Sequence, residues 1–104
     1  MVTEYDKLVR DEIPAIIERN GERPVVRVAD DAEYGRRLLE KLDEEVAEYR
    51  ESGDPEELAD ILEVLHAIRK HEGISAERLD RLRREKAAER GRFEARIVLE
   101  RVED

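Results

Sequence analysis

Cysteine is absent from the chain, which excludes both a disulfide framework and a thiol nucleophile. Histidine occurs only at His66 and His71, and a single pair of this kind does not make a zinc site. No hydrophobic run approaches membrane-spanning length, and the N-terminus lacks the apolar core of a signal sequence. We therefore expect a cytoplasmic protein that does not interact with membranes.

Aromatic residues make up only 4% of the chain and lysine occurs four times, whereas acidic residues are abundant and the formal net charge is −9. A chain with this net negative charge is a poor partner for nucleic acid polymers, because basic residues must neutralise their phosphates. Its carboxylates are suited to binding divalent cations and, through them, phosphorylated small molecules.

The length of 104 residues is sufficient for one domain, residues 1–104. Charged residues account for 47% of the chain and hydrophobic residues, mostly Leu, Ile, Val and Ala, for 39%. This composition is typical of helices with narrow apolar stripes, which often complete their core by oligomerising. We expect a mainly helical, all-α fold in which an antiparallel helical hairpin is completed to a four-helix-type bundle by oligomerisation.

Turn and capping signals divide the chain into four predicted helices. The first covers residues 5–19, where Pro14 is expected to break or kink it. The second runs from a cap at Asp30 or Asp31 to about Arg50.

The segment ESGDPEE predicts a sharp reversal between the second and third helices. Gly53 suits the left-handed conformation that ends a helix, and Asp54 suits the cap of the next one. The third helix is expected over residues 55–71, and the fourth between a cap at Ser75 and a stop at Gly91.

Two further segments carry a pattern typical of strands. Residues 25–30 and 95–102 contain β-branched residues and alternate in part, so a short strand is predicted in each. These two strands are expected to pair with each other.

The hairpin segment, residues 44–60, holds eight carboxylates in seventeen residues. About a turn centred between Ser52 and Gly53, Glu45 lies opposite Asp60 and Glu48 lies opposite Glu57. Within each helix the two acids are three residues apart and project from one face. All four carboxylates therefore converge if both faces turn inward.

Two of these acids interrupt apolar helix faces. Glu45 falls in the stripe of Leu38, Leu42 and Tyr49, and Asp60 lies inside the apolar run LADILEVLHAI. Buried carboxylates are costly and repel one another, and a divalent cation with oxygen ligands resolves both problems.

A plainer interpretation remains open for these acids. Acidic residues are so frequent that many belong to a solvated surface, and arginines can neutralise Glu48 and Glu57. Glu44, Glu51 and Glu56 are assigned to that surface, although Glu44 also adjoins the cluster. One turn beyond Asp60, Glu63 is a further candidate ligand.

The acids EEVAE followed by ELAD resemble the E-E-x-x-E … E-x-x-D signature of the MazG-like, all-α nucleoside triphosphate pyrophosphohydrolases. The resemblance extends to YDKLVRDEIPAII, LLEKLDEEVAEY and EKAAERGRFEARIVL, and so covers nearly the whole chain. It is strongest to a small subfamily described as phosphoribosyl-ATP pyrophosphohydrolase-like or house-cleaning enzymes. The gap between Glu48 and Glu57 is shorter than in many members, which puts the substrate in doubt.

The resemblance implies a homodimer or homotetramer that uses Mg²⁺, with Mn²⁺ as a substitute, to hydrolyse a nucleoside triphosphate to monophosphate and pyrophosphate. By position, the metal-binding acids are Glu45, Glu48, Glu57 and Asp60. Water bound to the metal would attack phosphorus, with Glu45 or Glu48 as the catalytic base. Four cations in the matching blocks are candidates for binding the triphosphate: Lys7, Arg10, Lys86 and Arg90.

Two other functions fit the same residues. One is hydrolysis of phosphoribosyl-ATP in histidine biosynthesis at the same site. The other is a non-catalytic helical dimerisation or regulatory module whose acids are merely solvated. The burial of Glu45 and Asp60, and their distance from the other two acids, separate the module from the enzymes.

Overall fold

Four α-helices and no strand make up the chain in a computed structural model, which describes all of residues 1–104. The helices are α1 (Ile13–Arg19), α2 (Asp31–Ser52), α3 (Pro55–His71) and α4 (Ala76–Arg90). The predicted mainly helical class is therefore confirmed. None of the four helices combines the length and the apolar character that crossing a membrane requires.

Side-chain caps begin the three longer helices where the sequence predicts them. The Asp30 carboxylate accepts a hydrogen bond from the backbone N–H of Glu33, 2.8 Å away, at the start of α2. Asp54 caps α3 and Ser75 caps α4 in the same manner. Each cap satisfies a backbone N–H that the first turn of a helix leaves without a partner.

The hairpin of α2 and α3 forms the centre of the molecule. Gly53 ends α2 in the left-handed conformation, with φ 67°, and its N–H donates to the carbonyl of Tyr49 at 2.8 Å. Because only two residues separate the helices, α3 runs back along α2. Leu38 and Val64 are the buried apolar residues between them.

The first helix is shorter than predicted. It begins at Ile13 rather than near residue 5, and Pro14 lies in its first turn, where a missing N–H needs no partner. Because proline has no N–H and its ring clashes with the carbonyl four residues earlier, it fits this first turn better than the interior of a helix over residues 5–19. Residues 1–10 contain no helix.

The predicted strands at 25–30 and 95–102 were wrong. Both segments are irregular, and no backbone hydrogen bond joins them. Val28 and Ile97 are among their exposed side chains. A strand depends on a neighbour that completes its hydrogen-bond ladder, and in this chain neither segment has one.

The apolar helix α3 is also less buried than its composition indicates. Of its residues only Val64 is buried, whereas Leu58, Leu62 and Leu65 are exposed. Only two pairs of helices pack together, α2 with α3 and α3 with α4.

The chain is therefore open in shape. Its radius of gyration is 18.5 Å, where a compact chain of this length has about 13 Å. Its accessible surface is 9689 Å², where a compact protein of this mass has about 6,100 Å².

Candidate metal centre

Four carboxylates gather beside the turn that joins α2 to α3. Glu45 and Glu48 lie in the last turns of α2, and Glu57 and Asp60 in the first turns of α3. The left-handed Gly53 sets the reversal that brings these two helix ends side by side.

Three of the four acids are close enough to share one cation. Carboxylate oxygens of Glu45, Glu57 and Asp60 all lie within 4.8 Å of one another. Glu48 is not one of the three, but together with burial its carboxyl raises the pKa of both Glu45 and Glu57, and so lies near them. The structure thus groups three of the four residues predicted to bind the metal, with Glu48 beside them.

Glu45 is the charged residue that the fold buries. It retains 6% of its accessible surface, and its Oε2 is buried without a hydrogen-bond partner. The Oε2 of Glu57 is likewise buried and unpartnered. An unpaired buried polar atom costs on the order of 1–3 kcal/mol, so these two oxygens are costly to the fold as long as they have no partner.

Crowding raises the pKa of two of these carboxyls. Burial, followed by the Glu48 carboxyl and the charges of Asp60 and Glu45, raises the pKa of Glu57 to about 7. Burial and Glu48 also raise the pKa of Glu45, although Lys41 opposes them. A divalent cation would reverse both effects, because it favours the ionised form of each carboxyl.

The flanking acid Glu44 belongs to a different arrangement. It accepts hydrogen bonds from Lys7 at 2.8 Å and from Lys41 at 3.2 Å. Burial raises the pKa of Glu44, but these two lysines outweigh it and lower the pKa below its ordinary value. Glu44 is therefore neutralised by lysine and does not join the carboxylate cluster.

The predicted phosphate-binding cations divide into two groups. Arg10 bonds Asp60 directly, with its Nη2 2.6 Å from Oδ1, and Lys7 bonds Glu44. Lys86 and Arg90 lie on α4, which does not pack against α2, and neither forms an ion pair. A single chain therefore places Arg10 at the cluster and Lys7 beside it, on the flanking Glu44, and it brings neither of the two α4 cations there.

Two features of the site have only weak signals in the sequence. Lys41 lies 3.3 Å from Glu45 at the helical spacing of four residues, a pattern that recurs often in so charged a chain. Arg37 holds both Glu33 and Asp6, a residue 31 positions away.

Glu63, the further candidate ligand, is exposed and lies outside the cluster, so it is not among the converging acids.

The chain is all-helical and carries a carboxylate cluster at the turn end of a helical hairpin. No family model matches the chain, and no solved structure matches it. An uncharacterized protein of Mycolicibacterium smegmatis is 54% identical over 44 residues, which are 42% of this chain and 45% of that protein. The match spans less than half of either protein, and the resemblance to MazG-like enzymes stays a prediction.

Proposed function

We propose that this chain is a Mg²⁺-dependent nucleoside triphosphate pyrophosphohydrolase that releases a nucleoside monophosphate and pyrophosphate. Noncanonical nucleotides are the substrates that a house-cleaning role would imply, and Mn²⁺ is the expected substitute ion. A cytoplasmic location is part of the same proposal.

The observation that carries the proposal is the buried Glu45 carboxylate. Its Oε2 has no partner, yet oxygens of Glu57 and Asp60 lie within 4.8 Å of a Glu45 oxygen. Lys41 lies beside Glu45 and Arg10 beside Asp60, but no side-chain cation pairs with Glu57, so the repulsion among the three carboxylates is only partly offset. The donors are all oxygens, which is the ligand set that Mg²⁺ and Mn²⁺ prefer.

In this function Glu45, Glu57 and Asp60 would hold the ion. When bound, it would neutralise phosphate oxygens and acidify a water molecule. Glu48 is the exposed member of the four, so it is free to orient that water and accept its proton. This water would attack the α-phosphorus of the nucleoside triphosphate as the bond from that phosphorus to the leaving pyrophosphate breaks.

A second copy of the chain is the partner that the exposed α3 leucines favour. Leu58, Leu62 and Leu65 follow helical spacing along one side of α3 and are all exposed. The accessible surface exceeds that of a compact protein by about 3,600 Å², whereas a stable interface covers about 800 Å² per partner. We therefore propose a homodimer or homotetramer. Lys86 and Arg90 keep their proposed role only where an assembly brings α4 to the carboxylates.

The experiment is a panel of nucleoside triphosphates and phosphoribosyl-ATP assayed with Mg²⁺ for pyrophosphate release. Asp60→Ala is expected to abolish turnover while remaining folded by circular dichroism. The matched control is Glu51→Ala, an exposed acid of the same hairpin outside the cluster, which should keep wild-type turnover.

The other outcomes separate the competing functions. Turnover of phosphoribosyl-ATP alone would assign the site to histidine biosynthesis. Equal turnover by Asp60→Ala and the wild type would remove the carboxylate cluster from the mechanism. A dimer that hydrolyses nothing and binds no metal would be the helical module.

A further inference from the structure

The segment before α1 lies across the hairpin and is held there by charged side chains. We call residues 6–10 the N-terminal strap. Asp6 adopts a left-handed conformation, with φ 43°, which aspartate tolerates better than most residues. Arg37 fixes it, because Nη1 donates to the Asp6 carbonyl and Nη2 to its carboxylate, each at 2.8 Å. The Arg37 side chain is 15% exposed and that of Asp6 is 82% exposed, and this anchor rests on two hydrogen bonds to a single arginine.

The other end of the strap lies at the carboxylate cluster. Arg10 donates through Nη2 to the Asp60 carboxylate at 2.6 Å, a contact between residues 50 positions apart. Between the two ends, Lys7 bonds Glu44 at 2.8 Å. The strap therefore holds the Arg10 guanidinium against one member of the proposed metal site.

The ion pair of Arg10 with Asp60 is more exposed than the other ion pair at the cluster, that of Lys41 with Glu45. The side chains of Arg10 and Asp60 are 55% and 34% exposed, whereas those of Lys41 and Glu45 are 16% and 8% exposed. Water screens an exposed ion pair, which contributes little to stability and exchanges readily. Of the two cations, Arg10 is thus the one that an incoming ion can displace.

We propose that Arg10 is a resident counter-ion that a divalent cation displaces from Asp60 and that then binds the substrate phosphate. The proposal rests on the proposed function, since it concerns the same site. A divalent cation and a guanidinium repel each other, so an ion bound at Asp60 weakens the bond that Arg10 makes to the same carboxylate. Once released, Arg10 is still tethered by Asp6 and Lys7 beside the cluster. Its planar guanidinium suits bidentate bonding to phosphate.

Two simpler roles make different predictions for Arg10. As a structural clamp only, its loss would weaken metal and phosphate binding together. As a phosphate ligand only, its loss would leave metal affinity unchanged. As a displaced counter-ion, its loss strengthens metal binding and weakens phosphate binding. The opposite signs of the two effects are therefore the signature of the proposal.

The test measures both affinities in the full chain at neutral pH and low ionic strength. Free Mn²⁺ is followed by electron paramagnetic resonance, and pyrophosphate binding by calorimetry at saturating Mg²⁺. Arg10→Met is expected to bind Mn²⁺ about two- to fivefold more tightly, the range that an exposed ion pair allows. The same variant should bind pyrophosphate at least about tenfold more weakly, as loss of a charge-assisted bond predicts.

The matched control is Arg83→Met, which removes an arginine from an exposed ion pair with Asp80 on α4. It should change neither affinity. Arg10→Gln repeats the test if Arg10→Met is not helical by circular dichroism. Unchanged or weaker Mn²⁺ binding in the folded variant would overturn the displacement and leave the proposed function standing. Absence of Mn²⁺ binding in the wild type would overturn both.

Discussion

Together with burial, the carboxyl of Glu48 on α2 raises the pKa of the Glu57 carboxyl on α3, across the turn that joins the two helices. A proton on Glu57 or a cation beside it relieves the repulsion between the two groups. Proton binding and metal binding at these carboxyls are therefore linked. Each changes the stability of the folded protein, so both can be followed by melting experiments without an assay of activity.

The stability of the metal-free protein is expected to depend on Glu57 in a defined pH window. Its pKa is raised from 4.5 to about 7, so its contribution to stability is fully present below pH 4.5 and is lost as the pH rises through about 7. Glu57→Gln keeps the neutral form at every pH. In the presence of a chelator, its melting temperature should therefore match the wild type below pH 4.5 and exceed it increasingly up to about pH 7.

The control for this profile is Glu51→Gln, an exposed acid on α2 outside the cluster. Its melting curve should run parallel to the wild type. The bonded Arg27 lowers the pKa of the Glu33 carboxyl from 4.5 to about 2, so its contribution to stability is present above pH 4.5 and is lost as the pH falls to about 2. This loss is common to all variants. Parallel profiles for Glu57→Gln and the wild type would contradict the prediction.

Divalent cations are expected to stabilise the wild type and to lose this effect when Glu45 changes. An ion that binds only the folded state adds about 1.4 kcal/mol at ten times its dissociation constant, which raises the melting temperature by several degrees. Glu45→Gln removes a ligand and should abolish the Mg²⁺-dependent shift. The raised pKa of Glu45 shows that the fold favours its neutral form, so the variant should melt above the metal-free wild type at neutral pH.

The measurement is a thermal melt with and without Mg²⁺, followed by circular dichroism. Asp43→Asn is the control, because Asp43 is an exposed acid on α2 outside the cluster. A full Mg²⁺ shift in Glu45→Gln would show that the ion binds elsewhere.

A charge on the exposed side of α3 is expected to dissociate the proposed assembly. Leu62 is 56% exposed in the single chain, and Leu62→Glu would place a carboxylate within the apolar surface proposed to be covered. Burying an unpaired carboxylate costs several kcal/mol, enough to reverse micromolar association. Sedimentation velocity should give a dimer or tetramer for the wild type and a single 12.2 kDa chain for the variant.

Val28→Glu is the control for the assembly, since Val28 is also exposed but lies outside the helices. It should sediment as the wild type does. A wild type that sediments as a single chain would exclude the second copy as the partner of α3.

Features that depend on a few neighbouring residues could be predicted from the sequence. The caps at Asp54 and Ser75 and the stop at Gly53 require only local backbone geometry, and all three are confirmed. The inward position of Glu45 was also predictable, because its place in an apolar stripe leaves it no route to solvent.

Features that depend on distant partners could not be predicted in this way. The contact of Arg10 with Asp60 joins residues 50 positions apart, and a chain with 47% charged residues offers many equivalent pairs. The strand at 95–102 was predicted from alternation, but alternation does not supply a neighbouring strand. Helix α3 is less buried than its apolar composition indicates, because its contacts with α2 and α4 leave Leu58, Leu62 and Leu65 exposed.

Gly35 lies at the end of the hairpin away from the turn, where a larger side chain is expected to clash with His71. A Cβ at this position would lie 2.9 Å from Cε1 of His71. The His71 ring is held edge-on to Tyr34, with 5.3 Å between centroids, and its Nε2 lies 3.1 Å from the Asp31 carboxylate. Gly35→Ala would therefore displace the ring from both contacts.

A double-mutant cycle measures this close approach. Alanine is favoured over glycine inside a helix by about 0.5–1 kcal/mol, so Gly35→Ala should stabilise a His71→Ala background by that amount. With His71 present, the clash should cancel the gain or reverse it, which gives a coupling energy of at least about 1 kcal/mol. Denaturant unfolding of the four proteins provides the free energies. Additive effects of the two substitutions would mean that the His71 ring does not occupy the space above Gly35.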